Sequence, residues 1–314
     1  MQVFHSLPDF PKLPFPVVTT GTFDGVHLGH QAILKRLIET ARRKNGTSVV
    51  ITFHPHPRLV LQKGNAPVEL LNTLDERIAN LEKAGVDAVL VIPFTKDFSS
   101  WTSDEFISRV LVESIGTRSL VIGYDHQFGH NREGSFENLK LSGLSAGFEV
   151  EEIPAQDVDE VAVSSTKIRN ALHNGDIETA NQFLGYTYPL EGDVVHGDSL
   201  GRTIGYPTAN IQVPDPNKLI PQNGVYAVSV HFNGQSLKGM MNIGTRPTVT
   251  QSGERRLEVN ILNWSGDLYN KCIQIRLHKR IRNEVRFNSI EELKAQLGLD
   301  RLAADELLNT YIYE

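Results

Sequence analysis

Short apolar runs alternate with amphipathic stretches along the first half of the chain. Residues 17–20, 48–53, 88–92, 119–122 and 149–153 read as strands. Residues 31–44, 74–84, 103–114 and 136–145 carry apolar positions at helical spacing between them. The strands are nearly continuous apolar runs, as expected when helices cover both faces of a sheet. Strand–helix alternation of this kind predicts an α/β fold with a doubly wound parallel sheet. Two short helical segments, 164–173 and 177–184, follow.

The pattern changes after Leu184. From Gly185 to about Ile275 the chain is rich in Gly, Pro, Asn and β-branched residues. Residues 225–232 alternate, and Asn233-Gly234 after them is a hairpin turn signal. Residues 257–262 and 272–277 are further strands, with Ser265-Gly266-Asp267 between them as a turn. This predicts a small antiparallel β-barrel. Residues 289–296 and 303–308 close the chain as two helical segments. The expected domains are 1–184 and 185–314, with the boundary near 185–189.

Composition narrows the picture. A chain of 314 residues is long for one core, which agrees with two domains. The net charge of −6 argues against a nucleic-acid partner, which wants a basic face. The single cysteine, Cys272, excludes an internal disulfide and a cysteine-rich zinc site, and fits a cytoplasmic protein. Residues 1–15 lack the basic start and apolar core of a signal peptide. No run is long enough to span a membrane.

The first candidate chemistry lies between strand 17–20 and helix 31–44. There Gly21-Thr22-Phe23-Asp24-Gly25-Val26-His27-Leu28-Gly29-His30 puts two histidines three apart at a helix start. Such a start offers unpaired N–H groups and partial positive charge, which suit phosphate. Gly21, Gly25 and Gly29 let backbone approach a ligand closely. This segment resembles the H-x-G-H signature of the nucleotidyltransferase superfamily. Ser164-Ser165-Thr166-Lys167-Ile168-Arg169 resembles its later S/T-x-x-R-type element. The resemblance implies adenylyl transfer, in which a substrate phosphate attacks the α-phosphorus of ATP and pyrophosphate leaves. His27, His30 and Arg169 then stabilise charge, while Phe23, Asp24, Ser165 and Thr166 join the glycines around the nucleotide.

Two neighbouring segments are less decisive. Phe53-His54-Pro55-His56-Pro57 carries a second histidine pair, for which metal binding is the minority reading. Gly123-Tyr124-Asp125-His126-Gln127-Phe128-Gly129 follows a strand, where such sheets bind ligands.

The second sharp signal is Gly201-Arg202-Thr203-Ile204-Gly205-Tyr206-Pro207-Thr208-Ala209-Asn210. It resembles the G-R-x-x-G-[FY]-P-T-A-N motif of riboflavin kinases. A kinase motif behind an H-x-G-H domain resembles the prokaryotic bifunctional riboflavin kinase/FAD synthetase family, over essentially the whole chain. Asn242-Ile243-Gly244-Thr245-Arg246-Pro247-Thr248, Leu257-Glu258-Val259 and Asp267-Leu268-Tyr269 belong to the same likeness.

The resemblance implies that riboflavin and ATP give FMN and ADP, and that FMN and ATP give FAD and pyrophosphate. It implies Mg²⁺ held by Thr208 and Asn210, and Glu258 as the base. Gly201, Arg202 and Gly205 would lie over ATP phosphates, and Asp125, His126, Phe128, Arg246 and Glu258 beside the flavin. The family pattern has an acidic residue at 124, an aromatic at 126 and often Asp at 263, where this chain has Tyr124, His126 and Asn263. Two rival readings are adenylylation of another phosphorylated metabolite, and a flavin-responsive binding protein without turnover.

Overall fold

The computed structural model describes residues 1–61, 67–123, 136–153, 163–197, 200–245 and 255–311. The chain divides into two compact units, Met1–Ser165 and Thr166–Glu314. In the first, β1 (Gln2–Phe4), β2 (Pro16–Thr20), β3 (Thr47–His54), β4 (Ala88–Pro93), β5 (Ser119–Gly123) and β6 (Glu149–Ile153) form one sheet in the order β1-β4-β3-β2-β5-β6. Every pairing in it is parallel.

Side chains alternate across a strand, so successive residues feed opposite faces. Val18, Val49, Ile51 and Leu90 enter one core; Val17, Val50, Val89 and Val91 enter the other. Each such side chain contributes about 1.5–3 kcal/mol on burial. The doubly wound sheet expected from the apolar runs is therefore present. β1 was not expected; three residues joined to the edge of β4 are too few to show a period.

The sheet opens at one place. β2 pairs with β3 from Pro16 to Thr20, but with β5 only at Val17↔Ser119 and Val18↔Leu120. Beyond Val18 the two strands part, at the point where strand order reverses. Ligands of open α/β sheets bind in the crevice at such a point, outside the carboxyl ends of the strands.

Helix α1 (Leu28–Arg43) starts a turn before the expected 31, because His27 takes the N-cap. The helix Leu74–Lys83 opens with a capping box between Thr73 and Glu76. The expected helix 103–114 begins as α-helix at Ser103–Phe106 and widens to a π-helix over Ile107–Ile115.

In the second unit β7 (Tyr188–Val195), β8 (Ala209–Gln212), β9 (Gly224–Phe232), β10 (Gln235–Thr245), β11 (Arg255–Ile261) and β12 (Cys272–Arg282) close a barrel in the order β10-β11-β8-β7-β12-β9. Its pairings are antiparallel. Asn233 and Gly234 turn the β9–β10 hairpin with φ of 49° and 74°, the left-handed pair that this turn demands.

The two closing segments expected at 289–296 and 303–308 are one helix, Ile290–Tyr311. Gly298 lies within it and does not break it. Its Ala304 and Leu308 pack with Ala227, Met240 and Leu262. The helices Ser165–His173 and Ile177–Leu184 also hold the barrel strands. Asn181 Nδ2 donates to Leu277 O at 2.9 Å and its Oδ1 accepts from Tyr188 N at 2.8 Å. Leu172 O accepts from Gln222 N at 3.0 Å. The division by packing thus falls at 165/166, ahead of the compositional break at 184/185.

Candidate active sites

The loop between β2 and α1 is tightly constrained. Phe23, Gly25 and Val26 have φ of 48°, 89° and 36°. Two of these are not glycine, and a β-branched residue in this region is an outlier of the kind that clusters at functional sites. Gly21 N donates to Ile51 O at 3.1 Å, and Thr52 Oγ1 donates to Thr22 O at 3.2 Å, so β3 holds the start of the loop. Asp24 is 1% exposed, and its Oδ1 accepts from Leu71 N at 2.9 Å and Asn72 N at 3.2 Å. It therefore lies beneath the loop. Gly25 and Gly29 are buried, Gly21 is half-buried, and Ser165 Oγ donates to Asp24 O at 3.0 Å.

The loop delivers His27 and His30 as a stacked pair, with ring centroids 3.8 Å apart and planes 18° apart. Phe23 flanks His30 at 5.1 Å. His27 Nδ1 accepts from His30 N at 3.4 Å, so in the neutral ring Nε2 carries the proton. The first turn of α1 has no acidic residue to offset its N-terminal charge. The His30 Nδ1 atom is enclosed. Burial first, then His27 and Arg77, hold the His30 ring well below the usual imidazole range. The His30 ring can thus meet phosphate as a neutral donor.

Arg77 is a member of this site that sequence reasoning missed. It is 1% exposed, and burial lowers its pKa while Asp24 opposes the shift. The signal was present: Leu74, Arg77, Ile78 and Leu81 lie at i, i+3, i+4 and i+7, so a charge occupies the apolar stripe.

Thr166 and Arg169 lie on the helix Ser165–His173, exposed and half-buried respectively. The other histidine pair does not converge. His54 is exposed at the end of β3, whereas His56 is buried and its Nδ1 accepts from Arg58 N at 3.1 Å. Asp125, His126, Phe128 and Arg246 lie outside the described residues.

The barrel brings a second group together. Glu258 on β11 is the direct cross-strand partner of Asn210 on β8 and of Asn242 on β10. Directly paired residues share a face, so the three side chains form a row. Asn242 was not among the expected site residues; register, which sequence does not show, puts it there. Arg256 Nη1 stands 3.9 Å from Glu258 Oε1.

The glycines before this row are packed rather than loose. A Cβ on Gly201 would fall 2.2 Å from Tyr206 O and 3.4 Å from Thr208 Oγ1, and one on Gly197 would fall 2.0 Å from Asn210 Nδ2. Residues Leu200–Thr203 form a helical turn. Gly205 supplies the left-handed step that ends it, at φ 86°. Arg202 is exposed. His196 and Tyr269 stack at 4.0 Å beside Gly197. Asn263 takes φ 52° and its Oδ1 accepts from Arg301 Nη2 at 2.6 Å, a structural use of that position.

Among the described residues, no group of three or more His, Cys, Asp or Glu could hold a metal. No helix among them is long and apolar enough to cross a membrane.

Comparison with known proteins covers both halves of the chain. Residues 12–167 match the family model described as FAD synthetase, and residues 184–308 the one described as riboflavin kinase. A protein from Pseudomonas fluorescens named bifunctional riboflavin kinase/FMN adenylyltransferase is 42% identical, over 93% of this chain and 92% of its own. One of the same name from Bacillus subtilis is 37% identical, over 92% and 91%. A crystal structure described as a macrolide-efflux protein from Streptococcus pneumoniae is 32% identical with a TM-score of 0.87, covering 96% of this chain and 98% of that one. Two family models in series and a fold shared from end to end leave one conclusion: the chain belongs to the bifunctional riboflavin kinase/FMN adenylyltransferase family.

Proposed function

We propose that the barrel unit phosphorylates riboflavin to FMN with ATP, and that the α/β unit adenylylates FMN to FAD with release of pyrophosphate. The single observation that carries the reading is the presence in one chain of two chemically different centres. One is the stacked His27–His30 pair on a helix N-terminus; the other is the Asn210–Glu258 cross-strand pair. A stacked pair of imidazoles at a helix N-terminus suits phosphate. A carboxylate beside neutral oxygen donors suits deprotonation of a hydroxyl.

In the kinase reaction Glu258 accepts the ribityl hydroxyl proton as that oxygen bonds to the γ-phosphorus, and ADP leaves with the electron pair of the broken P–O bond. In the transferase reaction an FMN phosphate oxygen bonds to the α-phosphorus of ATP and pyrophosphate leaves. The Nε2–H of His27 and the ring N–H of His30 donate to phosphate oxygens as their charge redistributes, and Arg169 takes the outer phosphates. Gly21, Gly25, Gly29, Ser165 and Thr166 line the nucleotide; Gly201, Arg202 and Gly205 do so in the barrel.

Thr208 and Asn210 would hold Mg²⁺. Their hard, neutral oxygens fit an ion that keeps several waters and takes its remaining ligands from nucleotide phosphates. When bound, it would offset phosphate charge. The functional domains on this reading are 1–184 and 185–314, and the protein is cytoplasmic. Its partners are riboflavin, FMN, FAD, ATP, ADP and pyrophosphate, with no nucleic acid and no membrane.

The test is a flavin time course with purified protein, riboflavin and MgATP. Riboflavin should give FMN and then FAD. No FMN would sink the kinase half; FMN that never proceeds to FAD would sink the transferase half.

A further inference from the structure

We propose that Arg77 is a positioning residue of the adenylyl-transfer site, tying the histidine-bearing loop to the end of β3 and placing a buried positive charge near His30. This rests on the reading of His27 and His30 as the transfer pair.

The guanidinium is buried, and its Nη1 donates to Thr52 Oγ1 at 3.1 Å and to Phe53 O at 3.0 Å. Thr52 Oγ1 in turn donates to Thr22 O at 3.2 Å, so one hydroxyl passes the hold of Arg77 on to the loop backbone. The loop's Asp24 bonds the two residues just before Thr73, the N-cap of the helix that carries Arg77. Helix, strand and loop therefore close a circuit around one cation.

That cation has a second effect. Arg77 Nε and His30 Nδ1 are both enclosed without hydrogen-bond partners. In so dry a place charge is weakly screened, and Arg77 opposes protonation of His30. A neutral His30 suits the 3.8 Å stack with His27, because two imidazolium faces at that separation would repel. An apolar side chain at position 77 would fill the core as well; it would neither hold Thr52 nor oppose the proton.

The experiment uses the full chain with Arg77→Met and Arg77→Lys. FAD formation from added FMN is measured for kcat, KM and pH profile. The His30 ring is titrated by NMR, assigned by comparison with His30→Ala. Thermal unfolding followed by circular dichroism reports on folding, and riboflavin phosphorylation on the other unit. Arg77→Met should lower kcat for FAD formation at least about tenfold, the scale expected of a misplaced site. Its KM for ATP should change far less, its His30 titration should rise by only part of its displacement because burial and His27 still hold it down, and phosphorylation should persist.

Arg77→Lys keeps the charge, so it should keep the low His30 titration and recover part of the rate. Unchanged kcat and unchanged His30 titration in Arg77→Met would overturn the proposal. So would an upward titration in Arg77→Lys equal to that in Arg77→Met. If Arg77→Met fails to fold, Arg77→Lys against the parent chain decides. If the parent chain makes no FAD, the transfer reading fails by itself, and the His30 titrations still decide the part played by Arg77.

Discussion

The two centres are built in opposite ways. The α/β centre is buried and held from several sides. Asp24, Arg77 and His27 are each under a tenth exposed, and strained backbone carries the rings. The barrel centre is half-open: Thr208, Asn210, Asn242 and Glu258 are all partly exposed, and strand register aligns the last three. Neutral donors at a helix start must be placed and kept dry, which needs a supporting shell. A base that takes a proton from a substrate hydroxyl needs a fixed direction and an approach, which paired strands with half-open side chains give with fewer contacts. The first centre should therefore be sensitive to changes beneath it, and the second to changes along its own row.

The strongest way to break this comparison is a crossed pair of substitutions. Glu258→Gln should cut FMN formation at least about a hundredfold, the usual worth of a positioned base, and leave FAD formation from added FMN intact. His30→Ala should do the reverse. If either change removes both activities while circular dichroism stays native, the two centres are not independent.

Gly197→Ala is a smaller probe of the row. The new Cβ would collide with the Asn210 amide, and overpacking of this kind typically costs about 1–3 kcal/mol. FMN formation should fall while FAD formation holds. Equal FMN rates in variant and parent would show that Asn210 can move without loss.

The gentlest probe is pH. On the barrel, Ser229 Oγ lies 2.9 Å from the Nε2 of both His231 and His278. Burial, then His231 and Arg276, lower His278 to about 4. An unfolded histidine titrates near 6.5, so the unfolded chain takes up this proton first. The contribution of His278 to stability is full above about pH 6.5 and is lost as pH falls toward 4. In thermal unfolding at pH 7 and pH 5, His278→Gln should lose less stability on acidification than the parent. An identical loss in both would remove His278 as the cause.

How much the sequence revealed follows the same division. Both motifs were legible because glycines, histidines and the Pro-Thr-Ala-Asn run are local. So were the parallel strands, whose apolar runs reflect burial on two faces. What was not legible is what long-range pairing creates. Asn242 joins Glu258 only through the β10–β11 register. The helical spacing puts Arg77 on an apolar stripe, but its partners Thr52 and Phe53 on β3 are set by the fold alone. The closing segments 289–296 and 303–308 read as two, yet one helix runs through Gly298 between them, with Ala304 and Leu308 packed on the barrel. The helices 165–173 and 177–184 resemble the first half in pattern but pack with the second, because Asn181 and Leu172 bond to barrel residues.

His27 has a consequence of its own. One imidazole begins α1 and, on the proposed reading, also donates to phosphate, yet histidine is not among the preferred N-cap residues. Asparagine there would make a better cap and a sturdier helix, and would remove the ring that stacks on His30. Position 27 is thus a place where selection for heat resistance and selection for turnover pull toward different residues. A library screened for stability alone would be expected to discard this histidine early.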